Sequence, residues 1–100
     1  MTVNFQLTES TRVVAVNEQV SSSLADETVI LNLKSNVYHG LNAVGAYVWE
    51  LIQEEPKTIQ EIQNAMLTEY EVDMETCQQD LHSLLMELAK NQLIEIIESD

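Results

Sequence analysis

The chain has 100 residues, of which 45% are hydrophobic, and a formal net charge of −13 from seventeen acidic and four basic side chains. This length fits a single small domain over residues 1–100 with a modest hydrophobic core. The charge argues against nucleic-acid binding, because phosphates are bound mainly by lysine and arginine. The acidic balance instead favours a basic peptide, a basic enzyme surface, or simply solubility.

The sequence gives no sign of export or of a membrane span. No apolar run is long enough to cross a bilayer, and the N-terminus lacks the basic and apolar regions of a signal peptide. The lone Cys77 cannot form an internal disulfide, which agrees with a reducing compartment. We therefore expect a cytoplasmic protein. The helical spacing of Cys77 with Leu81 and Leu84 is typical of a buried small residue rather than of a nucleophile.

The first part of the chain has the pattern of an arm followed by short strands. Residues 1–12 are expected to form an arm or a loosely held strand, because apolar and polar residues alternate only briefly there. Two further segments, Val13–Val16 and Val20–Leu24, are prone to form strands. With the hairpin that follows, they predict an antiparallel meander of about three strands that ends with residues 37–41.

A β-hairpin is predicted for residues 29–41. An apolar period of two residues begins at Val29 and resumes at Val37 after a turn of three residues, Lys34–Asn36. Asn36 can replace glycine in such a turn, because its short side chain tolerates the left-handed backbone region. The expected cross-strand pairs, which gather most apolar side chains on one face, are Leu33 with Val37, Leu31 with His39 and Val29 with Leu41.

Three helices are predicted after the hairpin, each opened by a side chain that can accept a free backbone amide. The expected N-caps are Asn42, Thr58 and Asp73, and Glu61 completes a capping box with Thr58. The expected ends lie at Pro56, near Tyr70, and at Asn91 as a left-handed stop. Helical spacing predicts the buried stripes Val44, Tyr47, Val48, Leu51 and Ile52; Ile59, Ile62, Ala65 and Met66; and Cys77, Leu81, Leu84, Leu85 and Leu88.

The chain closes with a strand-like segment, Leu93–Ile97, and residues 98–100 are expected to be a frayed tail. Trp49 is expected in the core, which is the usual place of a tryptophan on an amphipathic helix.

No motif of catalysis or of cofactor binding occurs in the sequence. A phosphate loop, a dinucleotide fingerprint, a CxxC pair and an HExxH helix are all missing. His39 and His82 belong to different elements and have no cysteine at ligand spacing. We therefore expect no enzyme activity, no cofactor and no metal. His39 either lines a binding cleft or is a partly buried ring bonded to a backbone carbonyl.

The centre of the chain resembles the PqqD-like family, the peptide-recognition element of ribosomal peptide natural product pathways. The residues that carry the likeness are the strand Val29–Leu33, the segment Tyr38–Asn42, the pair Val44 and Gly45, and the run Trp49–Leu51. The likeness covers about residues 13 to 97, with Asn36 where the family usually has glycine and His39 where an aromatic residue is commoner. It implies an α+β fold like a winged helix-turn-helix, with an N-terminal three-stranded antiparallel sheet followed by a three-helix bundle.

The resemblance also implies a function. Members of the family are non-catalytic adaptors that bind the leader segment of a precursor peptide by β-strand addition and present it to a modifying enzyme or a leader protease. A separate domain of this size is similar to the leader-binding proteins of lasso-peptide pathways. The residues expected to contact the leader are Val37, Tyr38, His39, Gly40 and Leu41 on the last hairpin strand and Gln79, Asp80, Ser83, Leu84 and Glu87 on the third helix.

The expected partners are therefore a leader peptide and a separate modifying enzyme or protease, with no nucleic acid and no membrane. The chain is expected to be a monomer or a weak dimer. The alternative function is a small winged-helix transcription regulator, since the third helix occupies the place of a DNA-recognition helix.

Overall fold

The elements of the fold follow from a computed structural model that describes residues 8, 10–24, 27–53 and 55–97. Most of the expected arm and the expected frayed tail lie outside these residues. The strands are β1 (Arg12–Ala15), β2 (Gln19–Leu24), β3 (Glu27–Asn32), β4 (Val37–Leu41), β5 (Lys57–Thr58) and β6 (Ile94–Ile97). The helices are α1 (Ala43–Ile52), α2 (Ile59–Glu69) and α3 (Met74–Lys90).

The described strands form two antiparallel sheets of three strands each, in the orders β2–β3–β4 and β5–β1–β6. The first is the predicted meander, and with the three helices it confirms the predicted α+β class. The second sheet is assembled from distant parts of the chain, because β1 pairs with β6 through Val13 and Ile96 and with β5 through Arg12 and Thr58. The Val13–Val16 segment therefore lies outside the meander, and β5 was not predicted.

The predicted register of the β3–β4 hairpin is wrong by one residue. The observed pairs are Asn32 with Val37, Leu31 with Tyr38, Ile30 with His39, Val29 with Gly40 and Thr28 with Leu41. The turn has four residues, and Asn36 takes the predicted left-handed conformation with φ of 60°. Because side chains alternate along a strand, the shift exchanges the two faces of β3. Ile30 is fully buried, whereas Val29 and Leu33 are exposed.

Polar side chains that find partners explain why the register differs from the apolar pattern. Asn32 is buried on the inner face, and its Oδ1 accepts the backbone amides of Lys34 and Ser35 at 2.8 and 3.1 Å. Thr28 is also buried there and its hydroxyl lies 3.1 Å from that of Ser23. Burial of these side chains costs little when their polar atoms are hydrogen-bonded. The more apolar of the two faces of β3 is therefore not the face that is buried.

The helix starts agree with the sequence prediction. Asn42 Oδ1 accepts the amide of Gly45, the side chains and amides of Thr58 and Glu61 form the capping box, and Asp73 Oδ1 accepts an amide of the first turn of α3. Glycine at position 45 avoids a close contact, because a Cβ there would lie 3.2 Å from Leu41 Cδ2 at the end of β4. α1 can therefore begin directly against the strand that precedes it.

The end of α3 differs from the prediction in one residue. The left-handed residue is Gln92, with φ of 59°, whereas Asn91 has φ of −90°. The amide of Leu93 donates to the carbonyl of Leu88, and the amide of Gln92 donates to that of Ala89. This is a Schellman motif, in which the residue after the C-cap takes the positive φ. Contact between buried apolar residues on both sides of the turn accounts for its position, since Leu88 and Leu93 are both buried.

The core lies between the two sheets and the three helices, and Trp49 is at its centre. Trp49 is 2% exposed, as predicted, and α1 packs against β1, β3 and β4. The buried stripe of α3 consists of Cys77, Leu81, Leu85 and Leu88, and Leu84 is half-buried beside it. α1 therefore links the two sheets, and α3 packs against α2 and β6.

Candidate functional site

The open edge of β4 is the first part of the candidate site. Among the described strands, β4 is hydrogen-bonded only to β3, so one side of it presents free backbone amides and carbonyls. Val37, His39 and Leu41 share the inner face with the buried residues of β3, because they pair with Asn32, Ile30 and Thr28.

The two faces of β4 differ in exposure. On the inner face, Val37 is exposed, His39 is half-buried and Leu41 is buried, so the strand passes from solvent into the core along its length. Tyr38 and Gly40 lie on the outer face, and Tyr38 is 69% exposed. A Cβ at Gly40 would meet no atom within 4 Å. Neither outer residue is required for core packing, which leaves both free to contact another molecule.

Three of the five residues predicted on α3 lie along one stripe of the helix. Asp80, Leu84 and Glu87 follow one another at intervals of four and three, so they lie along one stripe of the helix. Asn91 continues this stripe, and its carbonyl accepts a hydrogen bond from Asn32 of β3. Of these residues Leu84 packs against the core, whereas Asp80 and Glu87 are exposed.

The other two predicted residues of α3 lie on a neighbouring face. Gln79 and Ser83 line a shallow depression together with Gln78 and His82. His82 also borders a cleft between α2 and α3 of about 320 Å³, which contains the buried Gln63. The structure thus separates Gln79 and Ser83, which line this depression, from Leu84, which packs against the core.

Asn32 is a residue of this region that sequence reasoning missed. Its Nδ2 donates to the carbonyls of Asn91 and Gln92, both at 3.2 Å, so it joins the hairpin turn to the end of α3. An asparagine at the end of an apolar strand, two residues before a turn, was a signal for a side chain that hydrogen-bonds local amides. Nothing in the sequence predicted the hydrogen bonds from Asn32 to Asn91 and Gln92, which lie 59 and 60 positions further along the chain.

The reactive side chains of the described region show no features of a catalytic site. Burial raises the pKa of the Cys77 thiol, the charge of Asp80 adds to this effect, and the Cys77 Sγ lies 3.9 Å from the sulfur of Met66. The thiol therefore stays protonated and buried in the core. Within the described ranges, histidine, cysteine and carboxylate side chains do not gather in groups of three that could hold a metal ion.

No helix in the described part of the chain is long and apolar enough to span a membrane.

The polar face of α3 is unsuitable for contact with phosphates. Its charged side chains include Glu75, Asp80 and Glu87, against the single Lys90 in its last turn. The fold and the site thus define a small winged helix-turn-helix-like domain with an open sheet edge and an acidic third helix. Such an edge suits an extended peptide, which can add a strand to the sheet, better than a nucleic acid.

Comparison with known proteins identifies the family. The family model described as coenzyme PQQ synthesis protein D (PqqD) matches residues 27–94. The chain therefore belongs to the PqqD family. No curated protein matches it.

Two solved structures are similar to the whole domain. One is TbiB1 in complex with the TbiA(beta) leader peptide, with 38% sequence identity and a TM-score of 0.76 over 87% of this chain and 99% of that one. The other is lasso peptide synthetase B1 complexed with the leader peptide, with 19% identity and a TM-score of 0.71 over 83% of this chain and 96% of that one. The second similarity shows the fold alone, whereas the first also supports the family.

Proposed function

We propose that this protein is an adaptor that binds the leader segment of a ribosomal precursor peptide and presents it to a separate modifying enzyme or leader protease. The observation that carries the proposal is the open edge of β4, because an extended peptide can pair with its free amides and carbonyls. Family membership and the likeness to two structures that contain leader peptides support it.

In this proposal the leader adds a strand to β4, and its inward side chains contact α3. Backbone hydrogen bonds along residues 37–41 supply affinity that depends little on sequence. Selectivity comes from the stripe formed by Asp80, Leu84 and Glu87, which offers one apolar and two acidic side chains. We therefore expect the leader to carry an apolar residue and at least one basic residue on the side that faces the helix.

Gln79 and Ser83 are proposed as contacts for a leader segment that extends beyond β4, since they line an exposed depression on α3 with Gln78 and His82. The adaptor takes no part in the chemistry in this proposal, because the protonated, buried Cys77 is unsuited to act as a nucleophile. It acts in the cytoplasm, where precursor peptides are synthesised, as a monomer or a weak dimer.

An amide chemical-shift titration with a synthetic peptide tests the binding mode. The peptide carries the leader segment of the cognate precursor. The largest shifts are expected in residues 37–41 and 76–87. Shifts confined to residues 54–60, or to the N-terminal segment, would show that the peptide binds elsewhere.

A pair of proline variants tests strand addition directly. Successive amides of an edge strand point alternately towards β3 and towards solvent, so either Tyr38 or His39 has its amide on the open side. Proline is tolerated where the amide faces solvent, and it disrupts the hairpin where the amide is bonded. We expect one of Tyr38→Pro and His39→Pro to keep the native melting temperature and to weaken leader binding at least tenfold.

Tyr38→Ala and His39→Ala are the matched controls, because they remove the same side chains and keep the amides. If the folded proline variant and its alanine control bind the leader equally well, the backbone of β4 takes no part in binding. That result would remove strand addition from the proposal.

A transcription regulator, the alternative function, would require contacts to DNA phosphates that the acidic α3 does not offer. Sequence-dependent retention of the promoter of its own gene cluster in a gel shift at physiological salt would favour that alternative.

A further inference from the structure

The side chain of Asn32 joins two parts of the domain that are far apart in sequence. Its Nδ2 donates to the carbonyls of Asn91 and Gln92 at the end of α3, both at 3.2 Å. Its Oδ1 accepts the amides of Lys34 and Ser35 in the hairpin turn. An amide group has two donors and two acceptor positions, so all four are used while the residue is only 3% exposed.

The hydrogen bonds of Asn32 hold the turn against the helix where apolar packing does not. All four residues of the turn, 33–36, are exposed. A cavity of about 400 Å³ lies beside Asn32, and Lys34 of the turn and Gln92 of the helix end both line it. The space between turn and helix is thus only partly filled, and the Asn32 side chain spans it. Loss of its donor group would free the turn to move away from α3.

β4 is anchored differently at its two ends. Leu41 is buried, and Asn42 directly after it caps α1, which packs into the core through Trp49. Val37 at the other end is exposed and follows the turn that Asn32 holds. Besides the pairing of β4 with β3, its position relative to α3 therefore depends on core packing at Leu41 and on the Asn32 side chain near Val37.

We propose that Asn32 is a positioning residue for leader binding, which fixes the separation between β4 and α3. This inference rests on the proposed function. A leader that pairs with β4 and contacts α3 at once needs both in place beforehand, because any ordering on binding reduces affinity. Asn32 itself does not contact the leader in this proposal. It keeps the two elements at the separation that the leader requires.

Two variants distinguish the hydrogen bonds that Asn32 makes within the hairpin turn from those that link it to the end of α3. Asn32→Asp keeps an oxygen that can accept the amides of Lys34 and Ser35, but it replaces the donor with an oxygen that faces two carbonyls. Asn32→Ala removes both sets of bonds.

Two control variants change the same turns and leave the link intact. Asn36→Gly alters the hairpin turn, and Asn91→Ala removes the hydrogen bond from Asn91 Nδ2 to the carbonyl of Glu87 while its own carbonyl stays.

Three measurements are made on each variant: the melting temperature, the Kd for the synthetic leader peptide, and the distance between spin labels at Lys34→Cys and Lys90→Cys. Both label sites are exposed, whereas Cys77 is 1% exposed and does not take up label. We expect Asn32→Asp to weaken leader binding at least tenfold and to broaden the distance distribution. The controls should keep the native Kd and the native distance distribution, even where their melting temperatures change.

The proposal is overturned if Asn32→Asp broadens the distance distribution but binds the leader within twofold of wild type. It is also overturned if affinity falls in proportion to melting temperature across all four variants, since Asn32 would then be merely structural. If Asn32→Ala does not fold, the leader affinity and the label distances of Asn32→Asp alone decide whether Asn32 is a positioning residue. A wild-type protein that binds no leader would refute the proposed function instead, and the label distances of Asn32→Asp would still show whether Asn32 sets the separation.

Discussion

The two sheets of the domain are built in opposite ways. The β2–β3–β4 sheet consists of neighbouring segments, has an open edge at β4, and leaves Val20, Val29 and Tyr38 exposed on its outer face. The β5–β1–β6 sheet joins the beginning, middle and end of the described chain, and its central strand buries Val13 and Ala15. The contrast indicates that the second sheet holds the domain together, whereas the first has the open edge on which the proposed leader binding rests.

The largest expected effect comes from Trp49, because α1 packs against strands of both sheets. Trp49→Ala should cost about 3 to 5 kcal/mol of unfolding free energy, from lost burial and the remaining cavity. For a domain of this size that is a large part of the total stability. Chemical denaturation followed by circular dichroism measures it.

Tyr38→Ala is the control for Trp49→Ala, since it removes an aromatic ring that is 69% exposed. We expect a change within about 0.5 kcal/mol. An equal loss in both variants would mean that α1 does not join the two sheets.

The next prediction compares the sheets directly. Val13 of β1 is fully buried, whereas Val29 of β3 is 41% exposed. Val13→Ala should destabilise the fold by about 2 kcal/mol through two lost methyl groups and a cavity. Val29→Ala should cost less than about 1 kcal/mol, mainly from lower strand propensity. Melting curves of the two variants measure this difference. A larger loss at Val29 would reverse the roles assigned to the two sheets.

Gln92 tests the junction between α3 and β6, where the second sheet is joined to the helices. A non-glycine residue in the left-handed conformation costs about 1 kcal/mol, which glycine avoids. Gln92→Gly should therefore raise the unfolding free energy by about 1 kcal/mol and the melting temperature by several degrees. Its carbonyl still accepts from Asn32, so leader affinity should not change. Lys90→Gly, in the last turn of α3, is the control, and it should destabilise by about 1 kcal/mol.

The smallest effect is a pH dependence at the starts of α2 and α3. The backbone amide of Thr76 lowers the pKa of Asp73, and that of Thr58 lowers the pKa of Glu61. A carboxyl whose folded pKa lies below its unfolded pKa stabilises the fold above the unfolded value. This contribution is lost as the pH falls through the folded value.

Asp73→Asn keeps a good N-cap and removes the titration. The melting temperature of the variant should be slightly below that of wild type at neutral pH, and the gap should close as the pH falls through the carboxylate range. A gap that stays constant with pH would show that the charge of Asp73 does not contribute.

Much of the fold and part of the site could be predicted from the sequence because the determinants are local. Each helix start depends on one side chain and the amides three residues later, which is why Asn42, Thr58 and Asp73 were identified. The placement of Trp49 in the core followed from helical spacing and residue size. The residues 37–41 of the open edge followed from the strand pattern and the family resemblance, and their contact with a leader stays a prediction.

Tertiary structure alone decided the rest. The register of β3 and β4 depends on burial of Asn32 and Thr28, which is favourable only because distant or cross-strand groups bond to them. The pairing of β1 with β6 joins segments about eighty residues apart in the chain, and local pattern carries no information on such contacts. The surroundings of the α3 residues depend on packing too, since Leu84 packs against the core, whereas Gln79 and Ser83 line a depression with Gln78 and His82. Helical spacing groups residues into stripes, but only the packed domain determines which stripe faces β4.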